Sequence, residues 1–178
     1  ELPRLIAGLD CAFSKDGKRI FAAAVMLEVA DMCGDSFELR HVETVSAEQE
    51  TRFPYIPGLL SFREAPVCLE TVRKLRRAPD LDMSDGQGVA HPRRLGLAAH
   101  LGLFFDRPTV GCAKSRLIGT FDEPVEEKGA CSPLRDGGEV IGAVVRTRSR
   151  VKPIFVSVGH RCTLDDAIRV SLACTTRY

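Results

Sequence analysis

Three strand-like apolar runs, separated only by short connections, occupy the first fifty residues of the chain. They cover residues 5–13, 21–29 and 37–45, with a turn at Asp16-Gly17 and a looser connection around Gly34. Connections this short suit antiparallel neighbours, because parallel strands need a crossover of about a dozen residues or more. The sequence therefore predicts that the fold begins with a three-stranded antiparallel meander.

Helical and strand-like patterns follow one another through the rest of the chain. Helices are predicted over residues 61–77, 95–105 and 164–174, and Pro79 closes the first of them. Strands are predicted over residues 81–85, 108–113, 139–147 and 153–158. This order predicts an α/β fold, a mixed β-sheet with helices packed on it. At 178 residues the chain is expected to form a single domain, residues 1–178.

The charge balance and the cysteine content restrict the function classes. The 25 basic and 24 acidic side chains leave a net charge of +1, which excludes a generally basic nucleic-acid coat. A polyanion would have to be held by local clusters of Lys and Arg. No apolar run is long enough to span a bilayer, and no signal peptide is visible. Seven cysteines without C-x-x-C spacing predict free thiols, and free thiols indicate a cytoplasmic protein. Because the apolar runs are short, we expect no membrane partner.

One carboxylate lies inside the first apolar run. Asp10 shares a strand face with Gly8 and Ala12, and these small residues leave room above the sheet for a ligand. A buried carboxylate forms an ion pair, coordinates a metal or takes up a proton, because an isolated buried charge is costly. The alternative is an aspartate at an exposed strand end, which needs no partner.

Two further carboxylates have the same ambiguity. Glu64 is the one charged residue on the apolar stripe of the first predicted helix, which should face the sheet. It also stands three residues after Ser61, the spacing of a capping box, and spacing alone does not decide between the two interpretations. Asp85 ends a predicted strand directly before Gly86, a common arrangement in turns.

Carboxylates that converge repel one another, and divalent cations resolve the repulsion. Mg²⁺ binds one or two carboxylates together with water and substrate phosphate. Such a site hydrolyses phosphodiesters, because metal charge activates water and stabilises the attacking and leaving oxygens. If the three acids meet, metal-assisted phosphodiester hydrolysis is the chemistry that they favour.

Six segments in chain order resemble endonuclease V, the family of deoxyinosine-directed repair nucleases, in its bacterial form. They are Phe-Pro-Tyr-Ile-Pro-Gly at 53–58, Phe-Arg-Glu at 62–64, Asp-Gly-Gln-Gly at 85–88, His-Pro-Arg-Arg at 91–94, Gly-Cys-Ala-Lys-Ser-Arg-Leu at 111–117 and Ser-Val-Gly-His-Arg at 157–161. The resemblance runs from about residue 6 to residue 173. It implies an RNase H-like fold, a mixed β-sheet with helices packed on both faces. It also implies a nuclease that depends on Mg²⁺, for which Mn²⁺ can substitute.

The resemblance also implies a reaction and a substrate. The substrate is damaged DNA, single- or double-stranded, that contains deoxyinosine. The enzyme hydrolyses the second phosphodiester bond on the 3′ side of the lesion and leaves 3′-hydroxyl and 5′-phosphate ends. We expect it to act as a monomer.

The family's functional residues can be transferred to this chain where its motifs match. Asp10 and Asp85 match the metal-binding aspartates, and Glu64 matches the catalytic glutamate that completes the cluster. His160 and Lys114 match residues near the scissile phosphate. Tyr55 matches a wedge that enters the duplex. The full set of expected DNA contacts comprises Pro54, Tyr55, Ile56, Pro57, Gly58, Gly86, Gly88, His91, Arg93 and Lys114.

The wedge and its surroundings also have a physical interpretation. Pro54 and Pro57 fix their own φ angles and hold Tyr55 in a stiff loop, which could replace stacking when a base is turned out. The alternative is a rigid surface turn. Gly58, Gly86 and Gly88 would let the backbone close around the extruded hypoxanthine, or serve turn geometry alone. His91 is expected to order its loop, and Arg93 and Arg94 to contact phosphates, which makes binding salt-sensitive.

Two other functions stay open from the sequence. One is inosine-directed cleavage of RNA, although Pro57 and Gln87 are more typical of the DNA-acting bacterial branch. The other is a non-catalytic module that only binds lesions. The chain departs from the family at Cys11, where an aliphatic residue is usual, and at Ser84, which is more polar than usual. The family's helix before the first strand and its Pro-rich, helical tail are not found between Glu1 and Tyr178.

Overall fold

The computed structural model describes residues 2–34 and 36–175, which form eight strands and three helices. The strands are β1 (Leu5–Phe13), β2 (Arg19–Cys33), β3 (Ser36–Glu50), β4 (Leu81–Ser84), β5 (Thr109–Ala113), β6 (Cys131–Asp136), β7 (Glu139–Val145) and β8 (Ile154–His160). The helices are α1 (Leu60–Arg73), α2 (Leu97–Phe105) and α3 (Leu164–Ala173). All eight strands belong to one sheet in the order β3-β2-β1-β4-β5-β8-β7-β6.

The predicted meander is confirmed, and its second and third strands are longer than expected. β1 pairs antiparallel with β2, and β2 pairs antiparallel with β3. Strands β2 and β3 each have 15 residues, because their ladder continues into polar sequence beyond the apolar runs and accommodates bulges near Met26 and Val29. Hydrogen bonding between the strands, rather than apolar alternation, sets their length.

Strands β1, β4 and β5 run parallel to one another in the centre of the sheet. Leu9 of β1 is in register with Ser84 of β4, and Ser84 is in register with Gly111 of β5. The carboxyl ends of these strands therefore lie side by side at one edge of the sheet, the usual place for ligands in open α/β folds. We call this edge the carboxyl edge.

Helices cover both faces of the sheet, as predicted. The Thr109 hydroxyl donates to the Ala98 carbonyl of α2 at 2.9 Å, whereas the next residue, Val110, is buried with Val170 of α3. Since successive strand side chains point to opposite faces, α2 and α3 lie on opposite sides of the sheet. Helix α1 packs beside α2.

Two details of the secondary structure differ from the predictions. Helix α1 ends at Arg73 instead of residue 77. Strand β6 was not predicted, because Cys-Ser-Pro-Leu-Arg-Asp contains only one fully buried side chain, Leu134, and pairing with β7 holds it in the sheet. None of the three described helices is long and apolar enough to cross a membrane.

Candidate functional site

Asp10 and Asp85 lie next to each other at the carboxyl edge. Each follows directly on the paired residues Leu9 and Ser84, and the Asp85 backbone N–H donates to the Leu9 carbonyl at 3.0 Å. Asp10 is exposed, and its Oδ1 accepts a hydrogen bond from the Cys11 backbone at 2.7 Å. The sheet register thus brings together two acids that are 75 positions apart in the sequence.

Lys114 lies beside the two aspartates. It follows the last residue of β5, the strand next to β4, and its Nζ lies 2.5 Å from Asp85 Oδ2. This hydrogen bond, with the charges of Asp85 and Asp10, raises the pKa of Lys114. Asp10, Asp85 and Lys114 line one open cleft of about 440 Å³, whose floor includes Met83 and Cys112.

Glu64 faces the sheet from α1, as its place on the apolar stripe predicted. Its side chain is buried, and no side chain caps the helix, which begins after Leu59; the alternative capping box with Ser61 is not formed. Burial, together with the negative charges of Asp10 and Asp85, raises the pKa of Glu64 to about 7. Glu64 therefore lies close enough to the two aspartates to respond to their charge.

The chemistry of these side chains fits a hard divalent cation. Carboxylate oxygens are the ligands that Mg²⁺ and similar ions prefer. Two features already reduce the negative charge here: the Lys114 ammonium pairs with Asp85, and the raised pKa of Glu64 favours its neutral form. Within residues 2–34 and 36–175, no three His, Cys, Asp or Glu side chains are positioned as a ready-made metal site. That Asp10, Asp85 and Glu64 together bind a metal therefore stays a prediction.

His160 is not brought to this cluster. Strand β8 runs antiparallel to β5, so His160 pairs with Thr109, the first residue of β5, whereas Lys114 follows the last one. At ~3.3 Å per residue, this places His160 roughly 16 Å along the sheet from Lys114. The His160 Nε2 lies 3.5 Å from Asp106 Oδ1, at the end of α2. The described geometry gives no support to the expected place of His160 near a scissile phosphate.

The wedge loop stands out from the surface above a small pocket. Tyr55 is 67% exposed and Ile56 is 41% exposed, so two adjacent large apolar side chains are in contact with solvent. The pocket has a volume of about 120 Å³. It lies between the wedge loop (residues 53–58), the glycine loop (residues 85–88) and the start of α2. Its walls are formed by Tyr55, Gly58, Leu60, Ser61, Gly86, Gln87, His91, Gly96, Leu97 and Leu117. Tertiary structure thus joins two expected DNA-contact segments around one cavity.

His91 orders its loop, as expected, and also lines the pocket. Its ring Nδ1 accepts a hydrogen bond from the Arg93 backbone at 3.2 Å, and its carbonyl accepts one from the Arg94 backbone at 2.8 Å. Burial lowers the pKa of His91, so the ring is neutral at pH 7. The pocket therefore has no positive charge from this residue.

Gly88 and Arg94 have structural roles that the sequence did not indicate. A Cβ on Gly88 would lie 2.0 Å from the Val158 carbonyl oxygen, so the missing side chain lets the loop pack on β8, outside the pocket. Arg94 is bound to Asp136 at 3.0 Å and to Glu139 at 2.9 Å, rather than being free for phosphate. Arg93, by contrast, is exposed.

Six residues of the pocket wall were not among the expected DNA contacts: Leu60, Ser61, Gln87, Gly96, Leu97 and Leu117. Gln87 is buried, and its Nε2 donates to the Ser115 carbonyl at 2.9 Å. A polar side chain between two glycines, Gly86 and Gly88, was the available signal. The leucines carry no such signal, because an isolated leucine is indistinguishable from a core residue.

Comparisons with known proteins identify the family. A sequence profile of the endonuclease V family matches residues 1–178. Endonuclease V of Roseiflexus sp. (strain RS-1) is 48% identical over 175 residues, which are 98% of this chain and 75% of the relative. The structure of endonuclease V from Streptomyces avermitilis superposes with a TM-score of 0.91 at 42% identity, covering 100% of this chain and 76% of that one.

A third relative was solved with a nucleic acid. Endonuclease V of Ciona intestinalis, in complex with a 24mer DNA containing an inosine followed by a ribo-adenosine, has a TM-score of 0.78 and 25% identity. The match covers 97% of this chain and 78% of that one. These neighbours confirm the RNase H-like fold expected from the sequence. The chain belongs to the endonuclease V family of metal-dependent nucleases, hydrolases that act on DNA.

Proposed function

We propose that this protein recognises deoxyinosine in DNA and hydrolyses the second phosphodiester bond on the 3′ side, with Mg²⁺ as its cofactor and Mn²⁺ as a substitute. The products carry 3′-hydroxyl and 5′-phosphate ends. The observation that carries the proposal is the pair Asp10 and Asp85 on adjacent parallel strands, with Glu64 near enough for their charge to raise its pKa. The inosine-containing DNA bound by the Ciona relative supports the choice of substrate.

In this proposal the pocket under the wedge loop binds the damaged base, and the acids at the carboxyl edge serve hydrolysis. Tyr55 enters the base stack, because its loop is stiff and its ring already projects into solvent. The extruded base enters the pocket between Gly58 and Gly86. Extraction costs a few kcal/mol and is least unfavourable for a deaminated or mispaired base, which itself gives selectivity.

Asp10 and Asp85 would hold the cation at the carboxyl edge, and Glu64 would complete the site or orient water. The bound cation supplies charge that activates water and stabilises the leaving oxygen. Lys114, now paired with Asp85, would turn its ammonium to the phosphate once that carboxylate has another partner. Burial and the charges of Asp10 and Asp85 together raise the pKa of Glu64, so a cation that relieves the repulsion would favour loss of its proton.

Replacing Asp10 tests the proposed mechanism. In Asp10→Ala, we expect cleavage of inosine-containing duplex to fall to background while binding to the same duplex persists. Asp31→Ala is the matched control, since Asp31 is also exposed on a strand and also accepts a hydrogen bond from the next backbone N–H at 2.7 Å. Nicking assays and gel-shift titrations measure both properties. Normal nicking by Asp10→Ala would refute the role assigned to the carboxylates.

Cleavage of inosine-containing RNA is the second candidate function. The Ciona complex favours it, because the inosine there is followed by a ribonucleotide. Parallel assays on DNA and RNA strands of matched sequence decide between the two. A non-catalytic lesion-binding module would bind inosine-containing DNA and show no metal-dependent nicking. Cytoplasmic location and a monomeric state stay predictions.

A further inference from the structure

One residue of the pocket wall has a buried acceptor with no partner among the described residues. Gln87 is only 9% exposed, and its Nε2 donates to the Ser115 carbonyl at 2.9 Å. Its Oε1 is buried without a hydrogen-bond partner in residues 2–34 and 36–175. The assignment of the two amide atoms follows from chemistry, because the Ser115 carbonyl can only accept and must therefore face the –NH₂ group.

An orphaned acceptor of this kind is uncommon. Most buried polar side-chain atoms in proteins are paired, since an unpaired one loses its hydration without compensation. Gln87 belongs to the wall of the pocket under the wedge, which is otherwise formed largely by glycines and by the apolar side chains of Leu60, Leu97 and Leu117. A ligand that brings a hydrogen-bond donor into this pocket would supply the missing partner.

Hypoxanthine carries the required donor, and adenine does not. Deamination converts the adenine N1 from an acceptor into a protonated N1–H donor. A carbonyl oxygen accepts from N1–H, whereas it meets the N1 lone pair of adenine with repulsion. We propose that Gln87 Oε1 accepts a hydrogen bond from N1–H of the extruded base and so discriminates deoxyinosine from deoxyadenosine, an inference that rests on the proposed function.

The Ser115 contact makes this discrimination directional. With Nε2 bound to the Ser115 carbonyl, the amide cannot reverse to present a donor without losing that hydrogen bond. The amide would thus offer an acceptor, and not a donor, to a base in the pocket. Guanine also carries N1–H. This contact therefore distinguishes hypoxanthine from adenine, and a different contact must distinguish hypoxanthine from guanine.

Base-analogue binding tests the inference. We would measure the affinity of the cleavage-deficient Asp10→Ala protein for duplexes with deoxyinosine, deoxynebularine or deoxyadenosine at one position. Deoxynebularine has the purine ring without N1–H. The parent is expected to prefer deoxyinosine over deoxynebularine by about tenfold or more. Adding Gln87→Met, which keeps the length and removes both polar atoms, is expected to reduce this preference about tenfold without weakening the binding of deoxynebularine.

Adding Gln49→Met instead gives the matched control. Gln49 also donates from its amide, to Glu70 at 2.5 Å, and it does not line this pocket, so the preference should be unchanged. If Gln87→Met retains the full preference, the inference is wrong while the proposed function stands. If the parent shows no preference for deoxyinosine over deoxyadenosine, the proposed function itself fails. Equal loss of binding to all three duplexes by Gln87→Met would assign the residue a purely structural role and also refute the inference.

Discussion

At the scale of the residue, Glu64 shows how a side chain acquires properties that its type does not predict. A glutamate in a surface helix is ionised at neutral pH, whereas this one is buried and lies near enough to two aspartates for their charges to act on it. With a pKa of about 7, its protonated and ionised forms are both populated near neutral pH. Perturbed carboxyl groups of this kind concentrate at functional sites, because folding energy is needed to hold like charges together.

The raised pKa of Glu64 predicts a pH-dependent stability difference. The folded protein retains a proton that the unfolded chain releases above about pH 4.5, so this stabilisation is complete below pH 4.5 and is lost as the pH rises through 7. Glu64→Gln, which stays neutral, should match the parent near pH 4 and be more stable at pH 8. We expect a gain on the order of 1–3 kcal/mol in urea unfolding with chelator present.

A divalent cation provides the internal control for this measurement. A divalent cation added at pH 8 should stabilise the parent more than Glu64→Gln, because a bound cation offsets the repulsion among the acids. The difference in the free energy of unfolding between the two proteins should therefore become smaller. A stability difference that does not change between pH 4 and pH 8 would show that the Glu64 carboxyl group is not perturbed in the folded protein.

At the scale of the element, the glycine loop after β4 connects the two sites. Asp85 begins the loop at the carboxyl edge, and Gly86 lines the pocket next to it. The loop then crosses β5 and packs on β8, where the Gly88 backbone donates to the Ser157 hydroxyl at 2.8 Å and Val89 donates to the Val158 carbonyl at 2.7 Å. These contacts fix the position of the pocket relative to the acids.

We expect Gly88→Ala to destabilise the protein. The new Cβ would lie 2.0 Å from a backbone carbonyl that cannot move aside, so the loop must lift from β8, at a cost of about 1–3 kcal/mol or more in urea unfolding. Gly8→Ala is the matched control, because a Cβ there meets no atom within 4 Å. Equal stability of the two variants would contradict the close packing of the loop on β8.

At the scale of the whole molecule, the charges nearly cancel, so DNA binding must depend on where they lie. The net charge of +1 gives no general attraction to a polyanion. The structure separates the basic residues near the pocket into two kinds: Arg93 is exposed, whereas Arg94 is bound to two acids on the β6–β7 hairpin. The sequence alone does not distinguish Arg93 from Arg94, whereas the structure gives their side chains different surroundings.

This difference predicts distinct salt dependences for two variants that remove the same charge. For Arg93→Ala, the slope of log K against log salt should become shallower by about 1, the change expected for one lost phosphate contact. For Arg94→Ala, the slope should stay unchanged, and stability should fall only slightly, because its ion pairs are partly exposed. Titrations of inosine-containing duplex at several salt concentrations measure both slopes. Identical slopes for the two variants would contradict the assignment.

Most of the local structure and the choice of candidate acids followed from the sequence alone. Apolar alternation located β1 with its observed bounds, and helical periodicity placed Glu64 on the face of α1 that meets the sheet. The wedge segment was identified from its prolines and its resemblance to a family. These features are encoded within short windows, because strand and helix periods act over a few residues.

Tertiary structure decided which of those residues meet. The parallel register of β1, β4 and β5 placed Asp10, Asp85 and Lys114 side by side, and the antiparallel direction of β8 carried His160 away from them. Only the packed loops revealed the orphaned acceptor of Gln87. Strand direction and loop packing arise from contacts between distant parts of the chain, so no short window of sequence contains them.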